Sequence, residues 1–328
     1  MMNRVEENGK GLELNLNQLG LQVKLVKTIA NEVGETYLFD LVYISQYNKK
    51  YIQSLVDKLA VFYHLNITLI DSDEAHFGLF VKFASKVISL TQCINEVGCR
   101  DIVIGKDTLG NNVIIDFDKI PHLLIGGATG SGKSVLLKNL ITNLLIHYDK
   151  NHNRFKKCAI SIVDTKNSDL KEFAKIPNVS FDNEVEGAIE TLKRVERIMD
   201  ERYTTHTIDY DLYVVIDELA DLMLSSRFEV ERSLVRISQK ARAVNIHLIV
   251  ATQNPMVSVV SGLIKANFPY RLGLKTSSIR ESITLVDRKC CETLGIGEAY
   301  FRTDKLTKIK IAYPEPELVD KVITVNRG

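Results

Sequence analysis

Between residues 102 and 276, wholly apolar runs alternate with longer stretches of helical spacing. The apolar runs are HLLIGGA (122–128), CAISIVD (158–164), LYVVIDE (212–218), IHLIVATQ (246–253) and YRLGLKT (270–276). A strand that is apolar on both faces must be covered on both faces. VLLKNLITNLLIHY (135–148), EVEGAIETLKRVERIMDERY (184–203) and RFEVERSLVRISQKARAV (227–244) supply the covering helices. Strand–helix alternation of this kind predicts an α/β fold with a mainly parallel sheet. IVIGKDTLGNNVIIDF (102–117) adds a strand, a Gly/Asn turn and a second strand ahead of it.

The first hundred residues have a different texture. LELNLNQLGLQVKL (12–25) alternates apolar and polar twice around Asn17–Gly20, which predicts a hairpin. TYLFDLVYIS (36–45), ITLID (67–71) and FGLFVKF (77–83) read as strands. In KKYIQSLVDKLAVFYHL (49–65), Ile52, Leu55, Val56, Leu59 and Phe62 share one helical face. The expected organisation is a small α+β domain over residues 1–100, followed by the larger α/β domain over 101–328.

Composition narrows the class. The chain has 328 residues, 45% hydrophobic and 25% charged, which excludes a disordered or collagen-like chain. No run approaches the roughly 18 apolar residues of a membrane span. The N-terminus lacks the apolar core of a signal peptide. The 42 Lys and Arg nearly balance the 41 Asp and Glu, so any nucleic-acid contact must come from local patches or from assembly. Cys93, Cys99, Cys158, Cys290 and Cys291 are odd in number and form no CxxC pair. They read as reduced structural thiols of a cytoplasmic protein. His247 lies in an apolar strand and reads as packing. His64, His76, His147, His152 and His206 show no metal-ligand spacing.

The chemistry sits at the ends of the apolar runs. Gly127, Ala128, Thr129, Gly130, Ser131, Gly132, Lys133 and Ser134 fit GxxxxGK[ST] between a strand and a helix, the context a phosphate loop requires. Its glycines let backbone N–H groups converge on the β-phosphate at a helix N-terminus. Lys133 would bridge the β- and γ-phosphates of ATP, and Ser134 would bind Mg²⁺. The strand Tyr213–Ile216 runs into Asp217 and Glu218. Asp217 is a candidate for holding Mg²⁺, and Glu218 for orienting and deprotonating a water. The alternative is that the two acids only open a helix, where acids suit the dipole. Gln253 ends the next strand and points at the nucleotide crevice, or else caps a loop.

The chain resembles the FtsK/SpoIIIE family of DNA translocases over about residues 100–300. The resemblance rests on IGKDTLGNNVIID (104–116), KIPHLLIGGATGSGKS (119–134), VVIDELADLM (214–223), QKARAVNIHLIVATQNP (239–255) and SGLIKANFPYRLGL (261–274). It implies a RecA-like P-loop motor that works as a homo-oligomeric, hexameric ring on double-stranded DNA. Arg242 falls where the family places its arginine finger, acting in trans on the next subunit's site; a solvated arginine is the alternative. In VDTKNSDL (163–170), Asp164 and Lys166 match a family Asp-Pro-Lys segment while Thr165 replaces the proline, and no role follows for them. Ile279 stands where the family has a lysine that acts on the neighbour's phosphates, with Arg280 next to it. Asn254 stands in place of an arginine. GIGEAYF (295–301) follows the family's Gly-Asp-Met-Leu strand only loosely. Lys265 and Arg271 read equally as pore residues or as solvated surface.

These departures point to a divergent branch of the family. Its division proteins carry a membrane domain and a winged helix; neither is expected here, so the chain is expected to reach a membrane only through partners. Short members resemble transfer ATPases of plasmids and integrative elements, with a relaxase or a membrane transfer machinery as partner. The expected function is ATP-dependent DNA translocation in conjugative or other mobile-element transfer. The alternatives are a protein-translocating secretion ATPase and a non-hydrolysing recruitment module.

Overall fold

The computed structural model describes residues 2–31, 34–43, 48–63, 67–72, 75–82, 87–97, 102–146, 157–166 and 169–327. His64, Cys99, His147 and His152 lie outside the described residues. The chain forms two compact units. One comprises residues 1–88 and the turn 106–111; the other comprises 89–105 and 112–328.

The smaller unit holds α1 (Met2–Gln18), β1 (Val23–Ala30), β2 (Gly34–Leu41), α2 (Lys49–Tyr63), β3 (Ile67–Ser72) and β4 (His76–Lys82). Its strands form an antiparallel sheet in the order β1-β2-β4-β3. The hairpin expected over residues 12–25 is not formed; residues up to Gln18 are helical. The alternation of Leu12, Leu14 and Leu16 misleads, because Leu12 and Leu16 are also an i,i+4 pair. Both are buried, while Leu14 is 59% exposed on the opposite face. Ile52, Leu55, Val56 and Leu59 bury one face of α2 as their spacing predicts; the side chain of Phe62 lies outside the described residues. Phe39 of β2 stacks on Phe77 of β4 at 5.4 Å. Asn31 and Thr36 tie in the turn by donating to Thr108 O at 3.2 and 2.9 Å.

The larger unit runs β5 (Ile88–Ser89), α3 (Leu90–Val97), β6 (Ile102–Asp107), β7 (Asn112–Ile115), β8 (His122–Gly126), α4 (Lys133–Ile146), β9 (Lys157–Val163) and β10 (Val179–Asp182). It continues with α5 (Val185–Thr205), β11 (Tyr210–Ile216), α6 (Leu219–Lys240), β12 (Ile246–Thr252), α7 (Gly262–Asn267) and β13 (Tyr270–Leu274). It closes with α8 (Ile279–Val286), β14 (Glu298–Arg302), β15 (Leu306–Tyr313) and α9 (Pro316–Asn326). Among the described residues these strands make one 11-stranded sheet, ordered β10-β9-β11-β12-β8-β13-β14-β15-β6-β7, with β5 beside β15.

From β10 to β13 the sheet is parallel, and β14 and β15 then join antiparallel. The parallel strands bury alternate residues into two cores. Leu123, Ile125, Ile162, Val215 and Ile249 pack with Leu136, Leu137 and Leu140 of α4. Leu124, Val214, Ile216, Leu248 and Val250 pack with Leu192, Val195 and Met199 of α5 and with α6. Helix α6 begins at Leu219, eight residues earlier than its apolar spacing suggests, because Ser226 (φ −147°, ψ 58°) kinks it and breaks the period. A 3₁₀ turn, Ala241–Val244, follows it.

His247 is buried, stacks on Tyr213 at 4.9 Å and sits 3.2 Å from Pro121 O. Burial lowers the pKa of His247, and pushes that of His122 down to about 4. Cys93, Cys158 and Cys291 are buried and Cys290 half-buried; Cys158, Cys290 and Cys291 are free thiols.

Candidate nucleotide site

Strands β8, β9, β11, β12 and β13 are mutually parallel, so their carboxyl ends share one edge of the sheet. In open α/β sheets the ligand crevice lies outside that edge. The segments after these five strands therefore converge, although the paired Gly126 of β8 and Gly273 of β13 lie 147 positions apart in sequence.

The loop after β8 is the Gly127–Ser134 segment. Gly127 N donates to Thr252 O at 3.2 Å and Ala128 N to Lys275 O at 2.7 Å, so the ends of β12 and β13 hold the loop from both sides. Gly130 and Gly132 have φ of 75° and 104°, where a side chain is strained. The second also allows a close approach: a Cβ on Gly132 would stand 3.2 Å from Gly297 Cα. Gly297 N donates to Ser131 O at 2.9 Å, so the GIGEAYF segment buttresses the loop. The Ser131 hydroxyl is buried and has no hydrogen-bond partner among the described residues. Lys133 and Ser134 open α4, whose first N–H groups and dipole favour an anion.

Lys133 and Asp217 form a buried pair. Lys133 Nζ donates to Asp217 O at 2.7 Å and to Asp217 Oδ1 at 2.8 Å. Glu218 caps α6, accepting from Ala220 N at 3.4 Å, so the helix-start reading of the two acids is correct. It does not exclude the other reading. The Glu218 carboxylate is 2% exposed and also accepts from Thr252 Oγ1 at 2.7 Å, from Gln253 N at 3.0 and 3.1 Å, and from Lys166 Nζ at 2.8 Å. Burial pushes its pKa up, but the hydrogen bonds from Lys166 and Thr252 and the charge of Lys133 prevail and hold it below the ordinary glutamate value. The Gln253 side chain reaches the phosphate loop, where Oε1 accepts from Thr129 Oγ1 at 2.7 Å.

All eight phosphate-loop residues, together with Asp217, Glu218 and Gln253, thus meet at one edge. Arg242 does not. It lies before β12, at the amino end of the strand that carries Gln253 at its carboxyl end. Seven residues of strand separate the two ends by about 20 Å. Arg242 is exposed and donates to Asp118 O at 3.0 Å. Asn254, Ile279 and Arg280 are exposed, the last two in the first turn of α8. Lys265 and Arg271 are not free cations: both pair with Asp287, at 2.5 Å each, alongside Arg302 at 2.7 Å.

Three participants had no motif to reveal them. Thr252 is an ordinary strand residue in sequence, Gly297 lies in a weakly matching segment, and Lys166 stood in a motif without a role. Beside Ser134 opens a cavity of about 150 Å³, lined by Val135, Lys138, Glu172, Tyr313 and Pro314. Lys138 and Glu172 pair across it at 2.8 Å.

Residues 87–210 and 204–257 match the sequence model of the FtsK/SpoIIIE family. The chain belongs to this family. It is 36% identical over 273 residues to the DNA translocase SftA of Bacillus subtilis, covering 73% of this chain and 28% of that protein. It is 37% identical over 251 residues to the DNA translocase FtsK of Chlorobaculum tepidum, covering 68% and 31%. This FtsK/SpoIIIE chain therefore spans about a third of the length of those relatives.

Among solved structures, the pCW3 conjugation coupling protein TcpA, a monomer with ATPγS, superposes with a TM-score of 0.64 at 19% identity. That match covers 97% of this chain and 99% of TcpA. The cytoplasmic domain of the Thermomonospora curvata type VII secretion ATPase EccC superposes at 0.60 with 21% identity, covering 73% and 34%. At such identities the likeness is one of fold. Family and fold place the chain among the P-loop ATPases. Among its described residues no helix is long and apolar enough to cross a membrane.

Proposed function

We propose that this chain is an ATP-driven double-stranded DNA translocase, with residues 101–328 as the motor, acting as a hexameric ring. The observation that carries the reading is the convergence of Lys133, Asp217, Glu218 and Gln253 on one strand edge around the phosphate loop. The choice of DNA as substrate is supported by relatives named DNA translocases at 36–37% identity. The likeness to a conjugation coupling protein along nearly the whole chain supports a role in conjugative or other mobile-element transfer. In that role the chain would be cytoplasmic, meeting a relaxase or a membrane transfer machinery as partner.

In the catalytic cycle, Lys133 leaves Asp217 and takes the β- and γ-phosphates, exchanging one anionic partner for another. The orphaned Ser131 hydroxyl gains a phosphate oxygen. The Ser134 hydroxyl and the Asp217 carboxylate are hard oxygen donors of the number a Mg²⁺–nucleotide site draws from protein. They would hold Mg²⁺, which neutralises charge on the phosphates. Gln253 shifts from Thr129 to the γ-phosphate, and Glu218 orients and deprotonates the attacking water. The cavity beside Ser134 fits the nucleobase, with Tyr313 and Pro314 as its apolar wall. Arg242 is too far from its own site, so it completes the site of the next subunit. A head-to-tail contact of that kind closes into a ring.

The test is ATPase rate against DNA length and protein concentration, with Lys133→Ala as control. The reading predicts turnover that rises with both and that Lys133→Ala abolishes. A rate indifferent to DNA would favour the protein-translocating motor, the reading suggested by the fold shared with EccC. A wild-type rate no higher than that of Glu218→Gln would favour a recruitment module.

A further inference from the structure

The Glu218 carboxylate is fully engaged. Oε1 accepts from Thr252 Oγ1, Gln253 N and Ala220 N, and Oε2 accepts from Lys166 Nζ and Gln253 N. A general base needs a lone pair directed at water. Glu218 here has none free, since an ammonium group 2.8 Å away occupies Oε2 and three donors share Oε1. The two partners are unequally anchored. Glu218 is 2% exposed, whereas the Lys166 side chain is 39% exposed and reaches in from the loop after β9. The backbone donors from β12 and α6 are parts of fixed elements, so the lysine is the partner that can withdraw. Its loop is in turn tied to α6, where Thr165 Oγ1 donates to Asp221 Oδ2 at 2.9 Å.

We propose that Lys166 is a positioning residue that holds Glu218 in a resting pose, and that turnover requires this contact to be given up. The proposal rests on Glu218 being the base that activates water. It assigns residues 164–166, which follow β9, a restraining role on hydrolysis. A lysine just past the end of β9, the strand next to β11, is the right group for this. It is long enough to reach the carboxylate and flexible enough to leave it, so its departure frees Oε2 to face water.

The test is steady-state ATPase of the full chain, with and without DNA, for wild type, Lys166→Met, Lys166→Arg and Glu218→Gln. The expected result for Lys166→Met is a several-fold higher DNA-free rate and a smaller stimulation by DNA. Lys166→Arg keeps the cation and should restore the low DNA-free rate. A Lys166→Met rate as low as that of Glu218→Gln would make Lys166 a catalytic group and overturn the proposal. An unchanged DNA-free rate would overturn it too. If Glu218→Gln itself kept wild-type turnover, the assignment of Glu218 as base would be what fails.

Discussion

Single residues in the site are held by groups that motifs do not name. The phosphate loop was legible because its chemistry demands a run of glycines, a lysine and a hydroxyl at set spacing, and those constraints are local. Its support is not local. Gly132 is needed twice, for φ of 104° and for the 3.2 Å approach to Gly297, which lies 165 positions away in sequence. Gly132→Ala should therefore strain the backbone by about 1–3 kcal/mol and push the loop from Gly297 in the turn before β14. Chemical denaturation should show the lost stability, and titration with a fluorescent ATP analogue should show weakened nucleotide binding. Wild-type affinity in that variant would mean the loop relaxes without loss. Lys166 is the converse case. Its residue type was visible, yet its role depends on which strand lies beside β11, and nothing near it in the chain states that. The Lys265–Arg271–Arg302 group around Asp287 is similar: Lys265 and Arg271 read equally as pore residues or as solvated surface until the fold brought a carboxylate to them.

At the scale of elements, long periodic segments were legible and ambiguous short ones were not. The helices over α2, α4 and α5 and the apolar strands β8, β9, β11, β12 and β13 sit where their spacing puts them. Segment 12–25 does not, since three leucines two apart satisfy a strand and, through Leu12 and Leu16, a helix. The choice between them was made by the sheet that α1 covers. This can be tested directly. Leu16→Ala should cost about 2–5 kcal/mol, because Leu16 is fully buried. Leu14→Ala should leave stability nearly unchanged, because Leu14 is 59% exposed. A hairpin would put both leucines on the same face and make the two losses equal, so denaturant titration of the two variants separates the alternatives. β10 and β15 are short or half-polar and gave no usable period, and the antiparallel β14–β15 end of the sheet went unforeseen with them.

At the scale of the whole molecule, the strand order decides which residues can cooperate. β12 lies between β8, which leads into the phosphate loop, and β11, which leads into Asp217 and Glu218. That insertion lets Gln253 touch Thr129 with its side chain while its backbone N–H holds Glu218. The same strand carries Arg242 at its far end, away from its own site, so the proposed trans role needs a neighbouring subunit. Mixing Lys133→Ala subunits, which keep the finger, with Arg242→Ala subunits, which keep the site, should therefore recover ATPase activity that neither variant shows alone. A mixture no better than the sum of its parts would remove Arg242 from the neighbouring site. The sequence by itself determined the class of fold, the phosphate loop, the acids at the end of β11 and the membership of a DNA-translocase family. Each of those is a local pattern in which propensity and chemistry agree. Only the tertiary structure decided that Glu218 is held by Lys166 and Thr252, that Gly297 supports the loop, and that Arg242 stands away from its own site. Those facts depend on which strands are neighbours, and strand neighbours are chosen by packing both faces of the sheet rather than by any residue's own preference.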